Sequence, residues 1–190
     1  GVSVLPVECL NGLRKLCDEN NILLIFDEVQ CGFLRSGKMF AYQWSDIKPD
    51  IMTTAKAIAN GFPLGATMTT KKVGEVMSHG THGSTYGGNP LAVAVGNAVL
   101  DLMQKKDFLE NLEKVSSYFF LGLQDISNKY PDSISEIRGK GLILGLKCVK
   151  DNITFVEELR KQKMLSIKAG DNVVSCLLYT SDAADECSGV

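Results

Sequence analysis

The sequence predicts an α/β fold followed by a smaller α+β unit, and three observations support this prediction. Short apolar runs alternate with helical patterns up to about residue 105, as expected for a mostly parallel sheet with helices packed on it. A long helical pattern and two strand-like runs come after that point. The hydrophobic fraction of 45% provides enough apolar side chains for a core.

The first elements are predicted from hydrophobic spacing. Residues 5–19 are predicted to form a helix because their apolar side chains recur at helical intervals. The purely apolar run at 22–26 predicts a buried strand. A long loop that contains Gly32 and Gly37 then covers residues 29–45.

The later elements follow from the same patterns. Pro90 suits the first turn of a helix, and helical spacing continues from it to about residue 105. In chain order we predict a strand near 50–54, a strand over Gly65–Thr70, a short helix over 71–78, a loop over His79–Asn89, the helix from Pro90, a long helix marked by Phe108 to Ile126, strands over Ile134–Arg138 and Leu142–Val149, and a helix over 153–163.

The charge balance and the length of the apolar runs argue against two classes of partner. Lys and Arg number 20 against 22 Asp and Glu, which gives a net charge of −2 and no basic face for nucleic acid. The longest aliphatic or aromatic run covers Ile22–Phe26, whereas a membrane helix needs about 20 residues. We therefore expect neither nucleic acid nor a membrane as a partner.

The cysteines favour structural roles in a reducing compartment. Six cysteines occur at irregular spacing, without a CxxC motif and with only two histidines, so no zinc site or other metal is expected. Irregular cysteines in a domain of this size are typical of reduced thiols in a cytoplasmic protein. We predict that Cys9, Cys17 and Cys148 fill core positions.

Two side chains of complementary chemistry follow predicted strands. Asp27 ends the strand in Leu-Leu-Ile-Phe-Asp-Glu-Val-Gln (23–30), and Lys56 follows the next strand in Thr-Thr-Ala-Lys-Ala (53–57). Pyridoxal phosphate requires a lysine amine, which binds it covalently, and a carboxylate, which pairs with its ring nitrogen. The pair therefore predicts a site for that cofactor at the sheet edge where open α/β folds bind ligands. Each residue alone is also explained structurally, Asp27 as a cap or ion-pair partner and Lys56 as a solvated lysine.

A glycine-rich segment adds a third element. Gly80-Thr-His-Gly-Ser-Thr-Tyr-Gly-Gly-Asn-Pro90 carries small side chains and free backbone amides, which suit an anion such as phosphate. The structural alternative is a flexible turn that enters the helix from Pro90.

These segments together resemble the class III aminotransferases, most closely their acetylornithine branch. The resemblance covers about residues 1–174 and is most specific at 23–42, 50–66 and 80–97. Asp27, Lys56 and Thr85 follow one another at equal intervals of 29 residues, as the family motif requires. The resemblance implies a fragment of the fold type I pyridoxal-phosphate-dependent transferases. Residues 1–105 would be the C-terminal part of the large cofactor-binding domain, and residues 106–174 the beginning of the small C-terminal domain.

The resemblance also implies a reaction, a partner and a role for each site residue. The reaction would be transfer of the terminal amino group of N-acetylornithine to 2-oxoglutarate, in arginine biosynthesis in a bacterial cytoplasm. The partner would be a second copy, in a homodimer with shared active sites. Lys56 would bind pyridoxal 5′-phosphate covalently and move protons, Asp27 would hold the ring nitrogen, Val29 and Gln30 would position the ring, Thr85 would bind the phosphate of the other subunit, and Ser84 would contact the substrate.

Two parts of the family pattern are missing. The arginine expected after Asn172-Val-Val is replaced by Ser175, and residues 175–190 resemble a translated sequencing adaptor, so we expect a non-native tail there. The family's phosphate cup would lie upstream of Gly1. Because half of the pocket is missing, we expect the 190-residue chain to be inactive by itself.

Three other interpretations remain open at this point. The amino donor could be ornithine, 4-aminobutyrate or succinylornithine, or the chain could be a scaffold that keeps the fold without the activity. A nucleotide hydrolase is the third, because Gly32-Phe-Leu-Arg-Ser-Gly-Lys-Met39 approaches a phosphate loop. The segment departs from the phosphate-loop pattern at Met39, where that pattern has a Ser or Thr whose hydroxyl binds magnesium.

Overall fold

The computed structural model describes residues 1–177 and divides into two compact units. The first unit is Leu5–Phe108. The second unit combines Gly1–Val4 with the described residues from Leu109 onward. The rest of the predicted tail, residues 178–190, lies outside the described residues.

The first unit confirms the α/β fold class. Its elements are α1 (Val7–Glu19), β1 (Ile25–Asp27), a 3-10 turn (Ala41–Trp44), β2 (Ile51–Thr54), a second 3-10 turn (Lys56–Ala59), β3 (Ala66–Thr69), α2 (Lys71–Gly74) and α3 (Pro90–Met103). A fourth helix, α4 (Lys106–Lys129), starts in this unit and continues into the second. α2 is shorter than the predicted helix over 71–78, since it ends at Gly74.

The three strands of the first unit form a mixed sheet in the order β1-β2-β3. β1 and β2 are parallel, with Asp27 opposite Thr53, whereas β2 and β3 are antiparallel. In this part of the chain the sheet is therefore mixed rather than mostly parallel. Because parallel strands end at the same edge, Asp27 and the turn that begins at Lys56 lie at one edge of the sheet.

The prediction that the run 22–26 is a buried strand was wrong in two respects. Only residues 25–27 form β1, and Leu24 is buried while Ile22 and Ile25 are 55% and 57% exposed. Cys17 of α1 and Ile47 pack against Leu24 and cover one side of the strand. An apolar run shows that the residues are hydrophobic but not which sides of the strand are covered. It therefore cannot distinguish a buried strand from a partly exposed one.

Asp50 ties α1 to the start of the sheet. Its Oδ2 accepts a hydrogen bond from the Leu24 backbone N–H at 2.8 Å and another from Nη1 of Arg14 at 2.8 Å. The Leu24 amide, and then the Arg14 guanidinium, hold the pKa of Asp50 below its ordinary value. This carboxylate is therefore a structural anchor that fixes where β1 and β2 begin.

α3 packs on the turn that begins at Lys56. The helix starts with Asn89 as its N-cap, whose Oδ1 accepts from the Ala92 amide at 2.9 Å, and Pro90 follows at its first position. A Cβ at Gly96 would lie 2.9 Å from Cδ2 of Leu64 and, in ordinary contact, 3.6 Å from the Ile58 carbonyl oxygen. The glycine therefore leaves room for Leu64, which follows the turn.

The second unit is α+β, as predicted. Its further elements are β4 (Ile134–Lys140), β5 (Ile143–Cys148), α5 (Asn152–Lys161), β6 (Ile167–Ala169) and β7 (Val173–Leu177). The strands form an antiparallel sheet in the order β4-β5-β7-β6. Its core is made by Ile134, Leu146 and Cys176 packed against Phe119, Leu123, Ile137 and Phe155.

β7 extends past the start of the predicted tail. Ser175 pairs with Gly145, and Ser175 and Cys176 are both buried. A strand needs backbone donors and acceptors more than particular side chains, so a strand can continue through residues of either origin. The non-native origin of residues 175–190 stays a prediction.

The cysteine predictions are partly confirmed. Cys17 and Cys148 are buried, at 8% and 3% exposure. Cys9 is exposed on α1, so its assignment to the core was wrong. Helical spacing alone could not show whether Cys9 faces the core or the solvent.

A charged cluster closes the turn between β6 and β7. Asp171 accepts hydrogen bonds from the Lys147 ammonium and from Nη1 of Arg138, the latter at 2.6 Å. These partners, with Lys147 first, lower the pKa of Asp171 to about 2, from an ordinary value of 3.8.

We expect this cluster to make the second unit sensitive to acid. Because the pKa of Asp171 is lower in the folded state, its contribution to stability is present above pH 3.8 and is lost as the pH falls toward about 2. Asp171→Asn should flatten the pH dependence of the unfolding free energy in that window, measured by denaturant titration from pH 5 to 2. Asp125→Asn is the control, because the Asp125 carboxylate makes no hydrogen bond or ion pair within residues 1–177. An unchanged slope in the Asp171 variant would contradict the prediction.

Candidate functional site

Asp27 presents a carboxylate at the carboxyl end of β1. Its Oδ1 accepts hydrogen bonds from the Val29 backbone N–H at 2.9 Å and from Oγ1 of Thr53 at 3.3 Å. Within residues 1–177 its other oxygen, Oδ2, makes no hydrogen bond. The side chain is exposed. Asp27 is therefore held through one oxygen and offers the other to a ligand.

Lys56 follows β2 in a backbone conformation that is unusual for a lysine. Its φ is +49°, in the left-handed region, and it opens the 3-10 turn Lys56–Ala59. Backbone strain of this kind persists where the surroundings determine it, often at functional sites. Packing of α3 against the turn supplies such surroundings.

The structure brings Lys56 and Gln30 together. Nζ of Lys56 donates a hydrogen bond to Oε1 of Gln30 at 3.2 Å. The side-chain amide nitrogen of Gln30, Nε2, makes no hydrogen bond in the described part of the chain, so it can donate to a ligand. Val29 is half-buried beside it. Asp27, Val29, Gln30 and Lys56 thus lie at one edge of the sheet.

Glu28 fixes the loop that carries Val29 and Gln30. It is only 2% exposed, and its carboxylate accepts from the Ala41 and Tyr42 amides, each at 2.9 Å. These amides open the 3-10 turn Ala41–Trp44, so the acid binds the helical N–H groups that lack an internal partner. Sequence analysis missed this residue, because nothing in an Asp-Glu pair tells which of the two carboxylates turns inward.

Cys31 donates to the same carboxylate. Its Sγ lies 3.1 Å from Oε2 of Glu28, and burial and this carboxylate together raise the pKa of the thiol to about 12. We expect Cys31 to react much more slowly than exposed Cys9 with iodoacetamide at pH 8, because the thiolate is the reactive form. Mass-spectrometric mapping of alkylation against time measures both rates. In about 8 M urea, which unfolds the protein, the alkylation rates of Cys31 and Cys9 should converge. Equal rates in the folded protein would contradict the assignment.

Ser84 and Thr85 lie in the loop that precedes α3, and both are exposed. No hydrogen bond joins them to Asp27, Gln30 or Lys56 in the part of the chain that the structure describes. Packing of α3 on the Lys56 turn nevertheless places the end of this loop within the same unit. The predicted phosphate and substrate roles of these two residues stay predictions.

The phosphate-loop alternative finds no support in the geometry. Nζ of Lys38 lies over the Trp44 ring, 5.1 Å from its centroid, as a cation–π pair. Met39 packs against the buried cluster around Phe33 instead of standing where a magnesium ligand is needed. Lys38 therefore has a structural partner.

The residues at the sheet edge fit the groups that pyridoxal phosphate presents. A carboxylate with one unpaired oxygen suits a protonated ring nitrogen, and an exposed amine suits an aldehyde. An amide with a free N–H suits the ring's phenolic oxygen. A carboxylate, an amine and an amide that match three groups of one ligand thus come from two neighbouring strand ends.

Residues 1–177 contain no group of three or more His, Cys, Asp and Glu side chains placed to hold a metal ion. None of the helices found there combines the length and apolar character required to cross a membrane.

The sequence matches the family profile "Aminotransferase class-III" over residues 1–188. It is 49% identical to the acetylornithine aminotransferase of Brucella melitensis over 177 residues, which are 93% of this chain and 44% of that protein. It is 48% identical to the acetylornithine aminotransferase of Mesorhizobium japonicum, covering 96% of this chain and 46% of that protein. The chain thus spans less than half the length of these curated relatives.

Solved structures agree on the fold. The N-acetylornithine aminotransferase of Stenotrophomonas maltophilia superposes with a TM-score of 0.79 at 32% identity, over 94% of this chain and 48% of that one. The ornithine δ-aminotransferase of Plasmodium falciparum superposes with a TM-score of 0.82 at 29% identity, over 97% of this chain and 49% of that one.

Proposed function

Because the chain belongs to the class III aminotransferase family, we propose that it forms part of a pyridoxal-phosphate-dependent enzyme that transfers an amino group from an amino acid to a keto acid. The pairing of Asp27 and Lys56 at one sheet edge, with Gln30 3.2 Å from Nζ, is the observation that carries this proposal. A longer polypeptide would do the chemistry, since this chain corresponds to 44% of its Brucella melitensis relative.

Each residue at the edge has a task that its geometry supports. When bound, pyridoxal phosphate draws electrons from the carbon that carries the amino group. Nζ of Lys56 would bind the aldehyde carbon, and after displacement by the substrate amine it would carry a proton to and from the substrate. Oδ2 of Asp27 would keep the ring nitrogen protonated. Gln30 would orient the ring through its amide N–H, and Val29 would pack on the ring.

The second half of the proposed site lies in the loop before α3. We propose that Thr85 binds the cofactor phosphate of a partner subunit and that Ser84 contacts the substrate. Both are exposed, and both precede the N-terminus of α3, where backbone amides favour anions. A homodimer with shared active sites would follow. Size-exclusion chromatography of the wild-type protein and of Thr85→Ala, each with and without pyridoxal phosphate, tests whether cofactor binding and subunit pairing depend on each other.

We propose N-acetylornithine as the amino donor and 2-oxoglutarate as the acceptor, in arginine biosynthesis in the cytoplasm. Relatives at 49% and 48% identity carry the name acetylornithine aminotransferase, which favours this donor. Ornithine is the second candidate, since the Plasmodium falciparum structure with that name superposes well at 29% identity. Comparison of kcat/KM for N-acetylornithine, ornithine, 4-aminobutyrate and succinylornithine decides between them. A higher value for ornithine would overturn the proposed donor.

Covalent trapping tests the cofactor assignment. The full-length protein is loaded with pyridoxal phosphate, reduced with borohydride, digested and mapped. We expect a pyridoxyl label on the peptide that contains Lys56. Label scattered over surface lysines such as Lys71, which is 91% exposed, would overturn the proposal.

The domain assignment is also proposed. Residues 1–105 would complete a large cofactor domain, residues 106–174 would begin a small one, and residues 175–190 would be non-native. A long sequencing read through the source gene tests the last point. An arginine codon after the codon for Val174 would support the adaptor origin, whereas the same Ser175 sequence in the gene would refute it.

A further inference from the structure

Thr53 lies beside Asp27 on the neighbouring strand. The two residues are register partners of the parallel strands β1 and β2, so their side chains project from the same face of the sheet. Oγ1 of Thr53 is 3.3 Å from Oδ1 of Asp27. An ionised carboxylate only accepts hydrogen bonds, so the threonine hydroxyl is the donor.

The second donor to Oδ1 comes from a different direction. The Val29 backbone N–H, two residues along the chain, reaches the same oxygen at 2.9 Å. A single donor would leave the carboxylate free to rotate, because the terminal torsion of an aspartate is broad. Two donors, one from the following loop and one from the adjacent strand, fix the plane of the group. Oδ2 is then presented in one direction without a protein partner in residues 1–177.

We propose that Thr53 is a positioning residue that holds the Asp27 carboxylate so that Oδ2 alone meets the protonated ring nitrogen of pyridoxal phosphate. This inference rests on the proposed function of the site. Thr53 does not touch the cofactor in this account. It acts through Asp27 by removing the rotation that cofactor binding would otherwise have to freeze.

The test measures cofactor affinity in the full-length protein, independently of turnover. Cofactor is removed, and the Kd for pyridoxal phosphate is determined by fluorescence titration. Thr53→Val keeps the shape and removes the hydroxyl, and we expect about a tenfold higher Kd, the effect of one lost hydrogen bond to a charged group. Thr53→Ser restores the hydroxyl and should restore the affinity. Thr69→Val is the matched control, because Thr69 is an exposed strand threonine of the same sheet whose side chain makes no hydrogen bond within residues 1–177.

A double-mutant cycle separates positioning from a merely structural role. If Thr53 acts through Asp27, Thr53→Val should change the Kd in the wild-type background but not in the Asp27→Ala background, which lacks the oxygen that Thr53 contacts. An equal loss in both backgrounds, or no loss in either, would overturn the inference. If the wild-type protein itself bound no pyridoxal phosphate, the proposed function would fail and this inference with it. Wild-type binding combined with an unaffected Thr53→Val variant would remove this inference alone.

Discussion

Replacing Lys56 with alanine should reduce kcat of the full-length enzyme by about 10⁴-fold, the upper range for loss of a positioned proton-transfer group. The variant would lose both the amine proposed to bind the cofactor and the base proposed to move the proton. Nζ is the only lysine nitrogen within hydrogen-bond distance of Gln30 in the described chain, so no neighbour replaces it. The measurement is a coupled assay for glutamate formation, together with pyridoxyl labelling after borohydride reduction.

Lys71→Ala is the matched control for that experiment. Lys71 is 91% exposed on α2 and pairs with Glu75 at 3.7 Å, a surface contact of small energetic value. Its removal should leave kcat and labelling unchanged. Activity of Lys56→Ala close to that of the control would show that another group performs the chemistry, and the assignment of Lys56 would fall.

Replacing Gly139 with alanine should destabilise the hairpin of β4 and β5 by about 3 kcal/mol, the range for a residue forced into a glycine-only conformation. Gly139 has φ +119°, and a Cβ there would collide with the Ile143 carbonyl oxygen and lie 2.9 Å from the Leu144 Cα. Both obstacles are backbone atoms, which cannot move aside without disturbing strand pairing. Amide hydrogen exchange over residues 134–148 in the full-length protein should accelerate about 100-fold.

Gly122→Ala is the opposite case in the same unit. Gly122 lies in α4, and no atom stands within 4 Å of an added Cβ. Alanine there should stabilise the helix by up to about 1 kcal/mol, since glycine is a poor helix former. If Gly139→Ala accelerated exchange no more than Gly122→Ala does, the argument from backbone conformation at Gly139 would be refuted.

Local patterns located most elements, but they could not show what covers them. The helical stripe from Leu10 to Cys17 and the Asn89-Pro90 start predicted α1 and α3 closely. The run 22–26 was equally apolar, yet Ile25 is exposed, because burial depends on partners that a single run does not encode. α2 stops at Gly74 for a related reason, since Val76 beyond it is 73% exposed and has little packing to extend the helix.

The candidate site likewise contains residues that local patterns predicted and residues that they missed. Asp27 and Lys56 were predicted from their chemistry and from strand order, and the structure places both at one edge. Thr53 and Glu28 were missed. Thr53 meets Asp27 only through strand register, and Glu28 turns inward only because the loop up to Tyr42 folds back onto it. Both contacts join segments that are distant in sequence, so the residues around one position do not predict them.

The open side of β1 has a practical consequence for handling the polypeptide. Among the described residues β1 is an edge strand, and Ile25 within it and Leu23 just before it are 57% and 49% exposed. An unprotected apolar edge is a template for intermolecular β-pairing. The 190-residue chain expressed alone will therefore tend to precipitate as its concentration rises, and charged substitutions at these two positions are the direct route to keeping it in solution.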